Sequence, residues 1–287
     1  MKRASLFFTL IISFSTVSQI VPKALPKDNL VGYWSFDGNS NDGTKFKNHG
    51  IVHGAKQAED SSRYKFDGQD DNIILNEIEH LKFGTEDSFT VQAIVKSDLK
   101  GSPGMIFSKM YHQSPYRGFE IFTNTEGRIL VYVIHDADKN NFILLETNEA
   151  VLYDELSHHI MLTYDGSSKA DGIKIYVDNK RKSHKASTDN LKGSIETTAK
   201  INIGSRNEQC CFESGMIDEI AVWNRVLVEN ERNRVHGHYR VTLNKRNLDD
   251  MKGKTIFGMM LEESINEMKD KNVATVLFNF PIGHDFG

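Results

Sequence analysis

The residues best equipped for recognition chemistry lie in one short stretch, 111–118, which reads YHQSPYRG. Tyr111 and Tyr116 offer ring faces, Arg117 a planar fork of donors, and His112 a donor and an acceptor. Rings and planar donors gathered in one short loop make Tyr111, His112, Tyr116 and Arg117 ligand-binding candidates. A second stretch, RNEQCCFE at 206–213, is placed to flank them. Both stretches are equally compatible with plain strand connections.

Other reactive groups do not assemble into a catalytic set. Asp218 and Glu219 are neighbours, as are His158 and His159, and successive residues of a strand point to opposite faces of its sheet. No serine stands in a Gly-x-Ser-x-Gly elbow. The expectation is a chain without enzymatic activity. Cys210 and Cys211 are the only cysteines. A bridge between adjacent cysteines strains the peptide between them, which leaves buried thiols, a strained vicinal bridge or an intermolecular bond as alternatives.

The elements that must hold these groups are short and alternate with a period of two. Phe89, Val91, Ala93 and Val95 alternate with Thr90 and Gln92. Ile160, Leu162 and Tyr164 alternate with Met161 and Thr163, and Ile173, Ile175 and Val177 with Lys174 and Tyr176. Each run places one face on a core. Further strands are expected at 32–36, 72–75, 105–109, 118–123, 128–135, 141–146, 200–203 and 216–223, with Gly, Asn, Asp and Ser supplying the turns. About a dozen strands without intervening helices make an all-β, two-sheet antiparallel sandwich. From residue 228 the pattern changes: 229–238 is charged and helix-compatible, 257–269 is amphipathic at helical spacing, and an apolar run at 273–280 follows. A short mixed helical C-terminal extension, 228–287, is expected to pack on the sandwich.

With 287 residues, 39% hydrophobic and 26% charged, the chain has the balance of a globular protein with a real core. Lys and Arg number 35 against 39 for Asp and Glu, a net charge of -4, which gives no polybasic field for nucleic acid. Residues 1–18 combine a basic start at Lys2 and Arg3, an apolar stretch and small residues at Thr16 and Ser18, the order of a secretory signal peptide. They are expected to precede a linker at 19–29 and a domain at 30–227, in a secreted protein with no transmembrane segment. No Asn-x-Ser/Thr triplet occurs.

The order of segments carries a resemblance. LVGYWSFDG at 30–38 is followed by NHG at 48–50, YKFDGQDDNI at 64–73, SFTVQAIVK at 88–96, HHIMLTYDG at 158–166, IKIYVDNK at 173–180, INIGS at 201–205 and GMIDEIAVWNRVL at 215–227. This series resembles the laminin-G-like jelly-roll family of the concanavalin A-like lectin/glucanase superfamily. The resemblance implies a jelly roll whose first and last strands lie near each other. It also implies a structural calcium where those strands meet, a hard cation wanting six to eight oxygens. Asp37 and Asp218 are the leading ligands it suggests, with Asn39 and Asn48 contributing and Asp42 and His49 nearby, although Asp and Asn in turns also cap their own backbones. Glucanases of the fold carry Glu-x-Asp-x-x-Glu or Glu-x-Asp-x-Glu on one strand, and the stretch from Glu213 to Glu219 departs from both. The reading is a secreted, non-catalytic module for carbohydrate or another extracellular ligand. The alternatives are a glycan-active hydrolase using Glu213 or Glu219, and an adhesive module whose partner is a protein.

Overall fold

The computed structural model describes residues 19–251, apart from 76–78, 85, 99–103, 153 and 212. Sixteen strands occur among them: β1 (Leu30–Trp34), β2 (Ile51–His53), β3 (Lys56–Gln57), β4 (Tyr64–Asp67), β5 (Asn72–Leu75), β6 (Phe89–Ser97), β7 (Gly104–Met110), β8 (Gly118–Thr123), β9 (Ile129–Asp136), β10 (Asn141–Thr147), β11 (His158–Tyr164), β12 (Ile173–Val177), β13 (Lys180–Lys182), β14 (His184–Asp189), β15 (Ile201–Ile203) and β16 (Ser214–Trp223). One helix, α1 (Glu229–Met251), follows. The expected strands at 72–75 and 118–123 appear with those bounds, and the alternating runs from Ile160 to Tyr164 and from Ile173 to Val177 lie in β11 and β12, because turn residues bracket a clean alternation. The strands absent from the expectation are β2, β3, β4, β13 and β14. Of these, β2, β3 and β13 have two or three residues each and leave no periodic signal, β4 has four, and β14, HKASTD, is polar and largely exposed.

All pairings are antiparallel, and they build two eight-stranded sheets. The first runs β13-β12-β11-β6-β16-β4-β3, with β1 also pairing β16, and the second runs β14-β10-β9-β8-β7-β15-β5-β2. Strand β16 is long enough to bind β6 on one side while taking β4 and then β1 on the other. Leu30 pairs with Trp223, so the first and last strands are neighbours. Between the sheets lies a continuous core that includes Trp34, Phe36, Phe66, Phe89, Phe107, Phe119, Val131, Leu145, Leu162, Tyr164, Ile201 and Ile217. Phe89 stacks on Phe83 at 4.7 Å and meets Phe119 at 4.6 Å, which bridges the two layers with aromatic contacts.

The two tryptophans anchor the seam between chain segments. Trp34 donates from Nε1 to Asn48 O at 2.9 Å, and Trp223 from Nε1 to Pro26 O at 2.7 Å. Both rings are fully buried, so each indole has the partner that burial requires.

The chain divides into two compact units after His238. The start of α1 belongs to the unit that holds the sandwich. There Arg225 pairs with Glu231 through two hydrogen bonds of 2.7 Å, and Arg232 lies over the Tyr176 ring at 4.4 Å, a bidentate pair and a cation on an aromatic face. In the second unit α1 continues from Tyr239 to Met251. The helix thus runs thirteen residues past the 229–238 segment expected from sequence. The signal-peptide reading of 1–18, the amphipathic segment 257–269 and the apolar run 273–280 lie outside the described residues. No described helix is long and apolar enough to cross a membrane.

Candidate functional site

Two of the four predicted recognition residues meet in a cleft of about 570 Å³. Tyr111, just past β7, and Pro115 and Arg117, just before β8, form one wall; Ser194, Glu196, Thr197 and Thr198, on the approach to β15, form the other. Tyr111 is 39% exposed, and its hydroxyl meets Thr198 Oγ1 across the cleft. Arg117 donates from Nε to His135 O at 3.1 Å, and His135 Nδ1 lies 2.6 Å from Ser194 O. His135 of β9 therefore fixes both walls. Gly193 makes this approach possible: at φ +123° a Cβ there would sit 3.0 Å from the imidazole, and glycine alone adopts that backbone freely.

The Tyr111 wall is pinned from below. Pro115 O accepts from Ala137 N at 3.0 Å, Tyr116 N donates to Gln113 O at 2.8 Å, and Ser114 Oγ meets Asp138. Tyr116, at φ +57°, does not line the cleft. His112 turns instead toward the second predicted stretch, with Nδ1 3.5 Å from Cys210 Sγ. That stretch does flank the first, but through His112. The wall at 194–198 escapes a reading by residue type, because Ser, Glu and Thr in a connection carry no particular signal.

Beside the cysteines lies a buried ion pair. Arg206 donates from Nε to Glu120 Oε2 at 2.7 Å and closes a second bond through its terminal nitrogen, the bidentate geometry a guanidinium favours. Glu120 on β8 is fully buried; that burial raises its carboxyl above the usual range, with Arg206 opposing, as desolvation of a charged form requires.

The predicted metal residues lie in the loop after β1, before β2 and on β16, which pairs β1 through Ile220 and Trp34. Asp37 is exposed and Asn39 half-buried in the loop after β1, Asn48 lies before β2, and Asp218 is buried in β16 opposite Ile94. The loop is organised by Asp42, which is almost fully buried. Its Oδ1 accepts from Tyr33 N at 3.2 Å and Thr44 N at 2.8 Å, and its Oδ2 from Thr44 Oγ1 at 2.8 Å and Asn48 N at 2.9 Å. Asn39 Oδ1 accepts from Gln19 Nε2 and Asn41 N, both at 2.9 Å, and Asn48 O accepts from Trp34. These oxygens are engaged by the loop and its neighbours, which leaves Asn39, Asp42 and Asn48 few lone pairs for the six to eight contacts a calcium wants. Among the described residues, the acidic side chains that converge as a group of three are Asp67, Asp70 and Asp71, in the turn from β4 to β5. There Asp67 Oδ1 accepts from Gln69 N and Asp71 Oδ2 from Asp67 N, each at 2.9 Å, again as turn caps.

One expectation about β16 is overturned. Asp218 and Glu219 do not face opposite sides of the sheet, because the register shifts between Asp218 and Ala221 and Glu219 sits at φ +50°, the signature of a bulge. Ile217 and Ile220 both point into the core, so the bulge leaves both carboxylates on the side away from it. Both are buried, Glu219 accepting from the Tyr33 hydroxyl at 2.8 Å and, through its main-chain oxygen, from Gln92 Nε2 at 2.6 Å. Glu213 is fully buried as well; desolvation pushes its carboxyl up to about 8, against a hydrogen bond from Ser97.

The adjacent histidines of β11 have opposite environments. His158 sits between Asp178 Oδ2 at 2.7 Å and Asp154 Oδ1 at 2.9 Å. Burial works against its charge, but the two carboxylates prevail and push it up to about 9, since opposite charges within hydrogen-bond reach favour the cation. His159 is enclosed, with Nε2 2.6 Å from Gln92 Oε1 and Nδ1 3.2 Å from His236 Nδ1 on α1. Burial first, and His236 second, push it down to about 3. Because Gln92 Nε2 is engaged with Glu219 O, its Oε1 accepts, which puts the His159 proton on Nε2.

Known proteins place this architecture. Residues 67–231, more than half of the chain, match the family described as the concanavalin A-like lectin/glucanases superfamily. No curated protein matches the chain. Among solved structures it is similar to the binding domain of Paraclostridial Mosquitocidal Protein 1, at 17% identity and a TM-score of 0.56 over 74% of this chain and 52% of that one. It is also similar to the Botulinum neurotoxin serotype D binding domain, at 15% identity and 0.57 over 74% and 51%. A third is the serotype D ligand binding domain in complex with N-acetylneuraminic acid, at 13% identity and 0.55 over 74% and 51%. The chain spans about half the length of these domains, and the likeness is one of fold, a jelly-roll sandwich. Segment order, sheet topology and family match agree: the chain belongs to the laminin-G-like branch of the concanavalin A-like lectin/glucanase superfamily.

Proposed function

We propose that this protein is an exported, non-catalytic binding module that takes a glycan in the cleft between Tyr111, Arg117 and residues 194–198. The observation that carries the reading is the cleft itself, about 570 Å³ in volume, a size that suits a small ligand. It presents an exposed aromatic ring, a guanidinium and several hydroxyls on walls held together by His135. A tyrosine face suits the apolar face of a pyranose, and the Ser194 and Thr198 hydroxyls, each holding one protein partner, keep capacity for a hydroxyl of the sugar. Arg117 engages only its Nε with the protein among the described residues, which leaves its terminal nitrogens for a sugar carboxylate. The N-acetylneuraminic acid bound by a structural neighbour supports an acidic sugar as the first to try. Export rests on the basic, apolar and small-residue order of 1–18.

A hydrolase is the weaker reading because its nominated carboxylates, Glu213 and Glu219, are buried, out of reach of a polysaccharide. Calcium has no place in the reading either, since the loop that would hold it is closed by its own donors.

The test is a glycan array that includes sialylated members, followed by titration of any hit. Binding is expected, with Arg117→Ala and Tyr111→Ala each weakening it by about tenfold or more while melting temperature stays put. A folded protein that is silent on the array, yet retains a protein ligand, would replace the glycan with a protein partner.

A further inference from the structure

The hairpin beside His112 brings two thiols together in a way the candidate cleft does not use. Its turn is tight: Asn207 and Glu208 are both left-handed, Gln209 N donates to Arg206 O at 3.0 Å, and Arg206 N donates to Cys210 O at 2.9 Å. Two successive left-handed residues make the 206–209 turn a type I′ one, and Gln209 is the third residue of the loop between the bridged Arg206 and Cys210. Beyond the turn, Cys211 at φ +61° is held by Met105 N, which donates to Cys211 O at 2.9 Å. Arg206 is in turn fixed to Glu120. These bonds bring the two sulfurs, both half-buried, to 2.6 Å from each other. That separation is longer than a covalent S–S bond and well inside van der Waals contact. The same arrangement sets His112 Nδ1 3.5 Å from Cys210 Sγ.

We propose that Cys210 and Cys211 form an intramolecular dithiol site that closes to a vicinal disulfide on exchange with a small-molecule disulfide, with His112 as the proton acceptor for Cys210. The step balances as thiol–disulfide exchange. His112 takes the Cys210 proton, and the thiolate attacks a sulfur of oxidised glutathione and expels one glutathione thiolate. Cys211 then attacks the Cys210 sulfur of the mixed disulfide, losing its own proton and expelling the second glutathione. Two protein thiols are oxidised and one glutathione disulfide is reduced to two thiols. Burial pushes the Cys211 thiol up to about 12, so Cys211 acts as the resolving group. Closure would fix the Cys210–Cys211 peptide beside the Arg206–Glu120 pair, at the end of a hairpin that its own hydrogen bonds already hold. This site is independent of the glycan reading.

The full chain, reduced and then freed of reductant, is incubated with oxidised glutathione, quenched with N-ethylmaleimide and weighed by mass spectrometry under denaturing conditions. The expected product is a monomer lighter by two hydrogens that takes no maleimide and regains two maleimide-reactive thiols after reduction. His112→Ala should reach the same product several-fold more slowly, and Cys211→Ser should stop at one glutathione adduct. A chain that still takes two maleimides, that accumulates the glutathione adduct with both cysteines present, or that becomes a disulfide-linked dimer overturns the proposal. Circular dichroism of the variants before oxidation establishes that each is folded.

Discussion

The loop after β1 and the cleft at Tyr111 are both built from polar residues in strand connections, yet they end in opposite states. In the first, the Asp42 carboxylate accepts four hydrogen bonds and Asn39 and Asn48 are bonded to neighbours. In the second, the Tyr111 ring is 39% exposed and the Arg117 guanidinium engages only its Nε among the described residues, while the Tyr111 hydroxyl bonds Thr198. A connection whose polar groups are all engaged internally maintains the fold; one that leaves an aromatic face and a guanidinium edge open can recognise something else. Residue type does not separate the two, and the destination of each hydrogen bond does.

The largest test of this contrast is Asp42→Ala, which strands four donors in a buried loop. It should lower the unfolding free energy by about 3 kcal/mol in urea titration while leaving ligand affinity in the cleft unchanged. A loss under about 1 kcal/mol would mean that water replaces the carboxylate and the loop is not closed as described.

His158, another internally engaged group, gives the next effect through pH. Its folded value, about 9, lies above the unfolded value of about 6.5. The stability it contributes is therefore fully present below pH 6.5 and is lost as pH rises toward 9. His159 has the opposite sign: its folded value is about 3, so its contribution is present above pH 6.5 and is lost as pH falls toward 3. Urea titrations from pH 6 to 9 should show a decline in wild type that is much reduced in His158→Gln; an equal decline in both would place its origin elsewhere.

The smallest effect separates the loop from an ion site. Because Asp42 and its neighbours satisfy one another, chelation with EDTA should leave the melting temperature unchanged, and added calcium should not raise it. A calcium-dependent rise would bring Asp37 and Asp218 back as ligands.

The sandwich is legible in the sequence because β6, β11 and β12 alternate without a break and their ends carry turn residues. The site is legible only in part. Tyr111 and Arg117 stand out by type, while residues 194–198 become a wall only through His135, a contact across distant positions. The bulge at Glu219 is equally hidden: one left-handed residue reverses the side on which a carboxylate stands, and nothing in its neighbours Asp218 and Ile220 announces it. The prominence of Asp37 over Asp42 reflects the same limit, since two aspartates of one loop differ only in which is buried.

The pairing of Leu30 with Trp223, reinforced by Asn224 N donating to Asn29 O at 3.0 Å, has a mechanical consequence. The polypeptide enters and leaves the sandwich at adjoining points, so tension applied through its flanks would load these bonds one after another, as a zipper opens, rather than all at once in shear. The same adjacency lets the sandwich be spliced as an insert into a host loop, or its ends be joined and new ones opened elsewhere, with little disturbance to the layers.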